Sequence, residues 1–156
     1  IYTSPIYARS LGVSMSSRLF QEVREKRGLS FSVNSYVSPM EQDGPYLLSL
    51  QTRTDQLEEA IAVMRETLQK FVDKGPTAAE LEVSRKNITG GFPLRIDSNA
   101  KILDYLVMIG FYGLPLDYLE TFNASVMAVT REQILEAFQR RVTPETMVTI
   151  IVGGER

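Results

Sequence analysis

Apolar residues recur with two different periods along this chain. From Leu57 to Val72 they fall at Leu57, Ala60, Ile61, Met64, Leu68, Phe71 and Val72, which is the spacing of a helix with one apolar stripe. Asp55 with Glu58 has the form of a capping box at its start, and Lys74-Gly75-Pro76 stops it. Thr77 with Glu80 opens a second helix that runs to about Thr89, where Gly90-Gly91-Phe92-Pro93 breaks it. A third spans about Ser98 to Tyr112, with Ile102, Leu103, Leu106 and Ile109 expected to face inward. Asp97 stands near its start as an expected cap. Leu116 to about Val126 reads as a fourth, and Thr130 with Gln133 opens a fifth that lasts to about Arg141, before Thr143-Pro144.

Ahead of these helices the period shortens. Leu29 to Ser38 and Pro45 to Thr54 are short aromatic and β-branched runs, and Tyr46, Leu48 and Leu50 alternate with Leu47, Ser49 and Gln51. Turn-forming residues from Pro39 to Gly44 join them, which predicts an antiparallel hairpin. Before the hairpin, Ser4 to Gly12 reads as a helix end entering a turn. A short helix follows from about Ser16 to Lys26, with Leu19, Phe20 and Val23 on one face and Gly28 just past its end. At the other end, Met147 to Val152 is a near-continuous apolar run, expected to be an interior strand of the same sheet. Strands and helices are segregated, so the expected fold class is α+β, an antiparallel-rich sheet covered by helices in one domain over 1–156. Three strands are few for so much helix, which leads us to expect further strands before residue 1 in the intact protein.

Composition narrows the chemistry. The chain has 156 residues, no histidine and no cysteine. It therefore supplies no imidazole base, no thiolate and no histidine or cysteine ligand for zinc. A net charge of -2 argues against a nucleic-acid module, which needs a basic surface. No run of about 18 apolar residues is present to cross a membrane. Gly90-Gly91 lacks the lysine and the preceding strand of a phosphate loop, and Asp97, Asp104 and Asp117 do not follow a calcium-loop pattern. No pair of acids has a spacing distinctive enough for carboxylate catalysis.

The segment from Ser17 to Val33, SRLFQEVREKRGLSFSV, resembles a signature of the insulinase/pitrilysin zinc peptidases, the inverzincin group that includes mitochondrial processing peptidase. GPYLLSLQTRTDQLEEAI, GPTAAELE, GFPLRIDSNAKILDYLVMIGFYGLPLDYLE and AVTREQI resemble the bacterial, processing-peptidase-like branch, so the likeness covers nearly the whole chain. In that family one half carries the inverted zinc motif H-x-x-E-H. The other half is free of zinc and contributes an Arg and a Tyr, seven residues apart, to the substrate side of a closed chamber. Lacking histidine, this chain resembles the zinc-free half.

The resemblance places the Arg at Arg24 and the Tyr position at Phe31. It implies that Arg24 meets the scissile carbonyl and the developing oxyanion, a task suited to fixed, charged donors. Phe31 keeps the ring and lacks the hydroxyl. Tyr36 lies five residues further along a strand and so faces the other side of the sheet. Zinc and the glutamate base are then expected in a partner half, in cis or in trans, with a peptide as substrate and a periplasmic location, as in exported relatives of this branch. Without that partner the chain is expected to bind no zinc and cleave nothing.

A structural or assembly subunit of the same fold is the alternative, with Phe31 as packing. Around Arg24, Lys26 and Arg27 share the helix end and read as solvated, with an accessory contact as a second reading of Arg27, while Arg18 and Glu22 have the spacing of a pair across one helical turn.

Overall fold

The computed structural model describes residues 16–38, 40 and 44–153. The stretch from Ser4 to Gly12 lies outside the described residues, as does most of the hairpin turn. Helix α1, Ser16–Leu19, continues directly into a wider π-helical turn, Phe20–Glu25. The hairpin follows as β1, Ser32–Val37, and β2, Tyr46–Gln51. Then come α2 (Leu57–Lys74), α3 (Ala78–Gly90), α4 (Asn99–Tyr112), α5 (Tyr118–Ala128) and α6 (Arg131–Arg141). This is the α+β arrangement read from the pattern.

The hairpin is antiparallel, with Val33 opposite Leu50 and Ser35 opposite Leu48. Val33 and Ser35 are buried, and Tyr46, Leu48 and Leu50 pack half-buried behind them. One face of the sheet therefore closes on the helices, and Tyr36 lies on the other. At the centre, Phe71 of α2 meets the edge of Phe138 of α6 at 5.3 Å, and Tyr46 of β2 reaches the same ring at 6.1 Å. A second aromatic group forms where the break after α3 turns Phe92 inward. Phe92 stacks on Phe122 of α5 at 4.5 Å and meets Tyr105 of α4 edge-on at 6.1 Å. Aromatic pairs in these geometries add to what their buried area contributes.

Two caps form as read. At α3, Glu80 N–H donates to Thr77 Oγ1 at 3.2 Å and Thr77 N–H donates to Glu80 Oε2 at 2.6 Å. Thr130 and Gln133 repeat the exchange at α6. The Asp55–Glu58 box does not form. A 3-10 turn, Thr54–Gln56, delays α2, and the Asp55 carboxylate pairs with Arg53 instead, at 2.6 Å. At α4 the cap is Ser98, which accepts from Lys101 N–H at 3.4 Å, and Asp97 pairs with the Lys101 ammonium at 2.7 Å.

Two expectations fail on burial. On α4, Ile109 is buried and Ile102 half-buried, but Leu103 and Leu106 are more than half exposed. Met147 to Val152 is not a strand of the described sheet, which has two strands. Met147 packs against the core, Thr149 Oγ1 lies 2.7 Å from Arg65 Nη2 on α2, and Val148, Ile150 and Val152 are 86%, 82% and 94% exposed. A strand satisfies its main-chain groups only across a neighbour. Neither strand of the hairpin pairs with this segment.

Candidate functional site

The site candidates lie on α1 and the connection to β1. Leu19 and Val23 are fully buried, four residues apart, and fix the inner face of α1. The wider turn is marked by Lys26 N–H donating to the Gln21 carbonyl at 2.9 Å, five residues back. Gly28 then takes φ of 65°, a conformation that side chains disfavour, and its N–H donates to the Arg24 carbonyl at 2.8 Å. Leu29 N–H donates to the Val23 carbonyl at 2.8 Å, which brings the chain back toward the core.

Beyond this turn the backbone is tied to the hairpin. Ser30 is buried, and its Oγ lies 2.6 Å from the carbonyls of both Ser32 and Gln51, a hydroxyl proton shared between them. Thr52 Oγ1 donates to the Leu29 carbonyl at 2.6 Å. Phe31 leaves this fixed stretch pointing outward and is 87% exposed. It borders an open, shallow depression of about 210 Å³ between Gly28–Phe31 and Gln51–Arg53. The exposure excludes Phe31 from the core of the described residues and leaves its ring available as a wall or contact surface.

Arg24 is also exposed, but not loose. Its guanidinium carbon sits 4.7 Å above the centre of the Phe20 ring, one helical turn back. The other cations of the segment are committed. Arg18 donates through Nε and Nη2 to the Glu80 carboxylate and through Nη2 to the Gly75 carbonyl at 3.1 Å. Lys26 and Arg27 both hold Glu22, at 2.5 and 2.7 Å. The hydrogen bonds from Lys26 and then Arg27 keep the Glu22 carboxyl below its usual range. The Arg18–Glu22 pair read from the spacing is therefore replaced by Arg18–Glu80 and a Glu22 cluster. Arg27 donates through Nη1 to the carbonyl and the carboxylate of Glu22, both at 2.7 Å. Among the described residues, Arg24 is the one cation between residues 18 and 27 with no ion pair or hydrogen-bond acceptor on its side chain.

The two site residues are thus held by one short, hydrogen-bonded segment, but the aromatic partner of Arg24 is Phe20, not Phe31. From the sequence, Phe20 is one of the apolar face residues of this helix. Its spacing of four from Arg24 was the available signal. No group of three or more His, Cys, Asp or Glu side chains among the described residues is arranged to hold a metal ion. With no histidine or cysteine in the chain, its residues do not fit a zinc site. No helix among the described residues is long and apolar enough to cross a membrane.

Residues 6–88 match the family model described as the peptidase M16 inactive domain. Among curated proteins, a Bacillus subtilis protein named uncharacterized zinc protease YmxG is 40% identical over 65% of this chain and 25% of its own length. An uncharacterized zinc protease of Rickettsia bellii is 34% identical over 98% of this chain and 37% of its own. A Helicobacter pylori protein named non-peptidase homolog YmxG is 24% identical over 94% of this chain and 34% of its own. The chain thus spans between a quarter and somewhat over a third of these relatives. Among solved structures, the peptidase M16 inactive domain from Pseudomonas fluorescens is 35% identical, with a TM-score of 0.79 over 88% of this chain and 34% of that one. The periplasmic protease PqqL from Escherichia coli shares the fold at a TM-score of 0.74 and 18% identity, over 87% of this chain and 15% of that one.

Proposed function

The chain belongs to the peptidase M16 inactive-domain family, and on that footing we infer that it forms the substrate-holding wall of a zinc peptidase whose metal sits in another half. In this reading the partner half carries H-x-x-E-H, the zinc and the glutamate base. This chain contributes Arg24 to the substrate and Phe31 to the wall beside it. The observation that carries the reading is the state of Arg24. It is exposed and stacked on Phe20, and its donors have no acceptor among the described residues, while Arg18, Lys26 and Arg27 are all bound to carboxylates.

A guanidinium in that state suits a peptide carbonyl. Its charge strengthens each hydrogen bond it makes, and its fork geometry is fixed. As a carbonyl becomes tetrahedral its oxygen gains negative charge, so the same donors bind it more tightly in the transition state than in the ground state. Phe31 offers the peptide an apolar face and no donor. The second donor of the family arrangement is missing, so of the two positions Arg24 alone offers the oxyanion a hydrogen bond.

The test is peptide cleavage by this protein mixed with a zinc-loaded H-x-x-E-H partner. The expected result is cleavage that needs both proteins, falls by about a hundredfold with Arg24→Ala, and rises with Phe31→Tyr. The structural alternative draws on Phe31 and on the name of the Helicobacter pylori relative, non-peptidase homolog. A stable, zinc-loaded, inert complex would establish it in place of the first reading.

A further inference from the structure

Resting on the role just given to Arg24, we propose that Phe20 is the positioning residue of the site, an aromatic platform that fixes the direction of the Arg24 fork without using its donors. The ring and the guanidinium carbon are 4.7 Å apart. Phe20 is itself anchored, half-buried against the core beside the fully buried Leu19. The platform is therefore part of the packed interior, while the cation it carries is at the surface.

Three observations support a positioning role over casual surface stacking. Arg24 has a three-methylene arm and several rotatable bonds, so an exposed Arg without a partner samples many directions. A ring face restricts that sampling through the charge and flat face of the guanidinium, and satisfies none of its five N–H groups with an oxygen. A carboxylate in the same place would have restricted Arg24 equally but occupied its donors, which is the state of Arg27 on Glu22. Lastly, the pair lies on the π-helical turn Phe20–Glu25. The extra residue in such a turn rotates the following side chains by about 100° relative to a continuous α-helix, and π-helical turns concentrate at functional sites.

The proposal separates Phe20 from a residue that merely fills the core. A filler is judged by volume, so Leu would serve nearly as well as Tyr. A platform is judged by its ring, so Tyr retains function and Leu does not. The experiment uses the full chain in two measurements. In NMR spectra, the Arg24 side-chain protons are displaced upfield by the ring in the parent and in Phe20→Tyr, and lose that displacement in Phe20→Leu. In the assembled, zinc-loaded pair, Phe20→Leu lowers kcat/KM for peptide cleavage by about two- to fivefold, and Phe20→Tyr leaves it near the parent value. The double variant Phe20→Leu/Arg24→Ala is no slower than Arg24→Ala alone, because the platform has nothing left to position.

Outcomes against the proposal are distinct from outcomes against the function. A loss with Arg24→Ala that is unaccompanied by any loss in folded Phe20→Leu overturns the platform alone. Equal losses in Phe20→Leu and Phe20→Tyr, or a Phe20→Leu loss that persists at full size without Arg24, assign Phe20 to packing. Unchanged cleavage with Arg24→Ala overturns the role of Arg24 first and the platform with it. So does a zinc-loaded pair that cleaves nothing.

Discussion

Glu80 joins two parts of the molecule that are remote in sequence. Its carboxylate closes the capping box on Thr77 and holds the Arg18 guanidinium of α1, while Arg18 also reaches the Gly75 carbonyl. Burial alone would raise its pKa, but the hydrogen bonds from Arg18 and from Thr77 outweigh burial and set it below the ordinary 4.5. A lowered native value means stability that is present above the unfolded value and lost as pH falls through the native one. Glu80→Gln should therefore cost about 1–2 kcal/mol at pH 7, with the difference from the parent shrinking below about pH 4. Urea unfolding at pH 7 and pH 3 measures both, and a difference of equal size at the two pH values would contradict the assignment. Sequence spacing showed Arg18 only its local neighbour Glu22. Its real partner is sixty-two residues away, beyond any pattern of period three or four. The motif places Arg24, but that Lys26 and Arg27 pair with Glu22 while Arg24 stacks on Phe20 is a choice among neighbours that composition does not reveal.

Elements were legible where their signals are local. Thr77-Glu80 and Thr130-Gln133 set the starts of α3 and α6 because a cap involves only side chains and N–H groups three residues apart. The hairpin was legible because alternation and a turn are also local. Asp55 had the right letters in the wrong geometry, since the 3-10 turn moved the helix start past it. Burial of α4 and pairing of Met147 to Val152 were not legible, because each depends on which surface arrives opposite. The latter leaves four apolar β-branched side chains, Val148, Ile150, Ile151 and Val152, exposed on a stretch that pairs with neither described strand, the kind of segment that recruits other chains. In this chain, Val148→Thr with Ile150→Thr should leave stability within about 0.5 kcal/mol of the parent. It should also raise the concentration at which the protein self-associates in sedimentation. A marked loss of stability would show that these side chains are buried after all.

At the scale of the molecule, the fold offers a helical layer, a hairpin and one outward-facing turn, on which Phe20, Arg24 and Phe31 are set by buried or hydrogen-bonded neighbours. The absence of histidine and cysteine, read at once from composition, leaves this chain without the usual ligands of a zinc site. The segregation of strands from helices gave the class. What a sequence cannot provide is the account of which cations between residues 18 and 27 are bound to carboxylates, and within that described segment it singles out Arg24. The central claim is that Arg24 binds charge developing on a peptide carbonyl, which makes it a transition-state contact more than a ground-state one. The most direct measurement is the affinity of the zinc-loaded pair for a phosphinic peptide, whose tetrahedral anionic centre mimics that state, compared with the affinity for the matching uncleaved peptide. Arg24→Ala should weaken the phosphinic peptide by about a hundredfold and the plain peptide far less. Equal weakening of both, or of neither, would contradict the account.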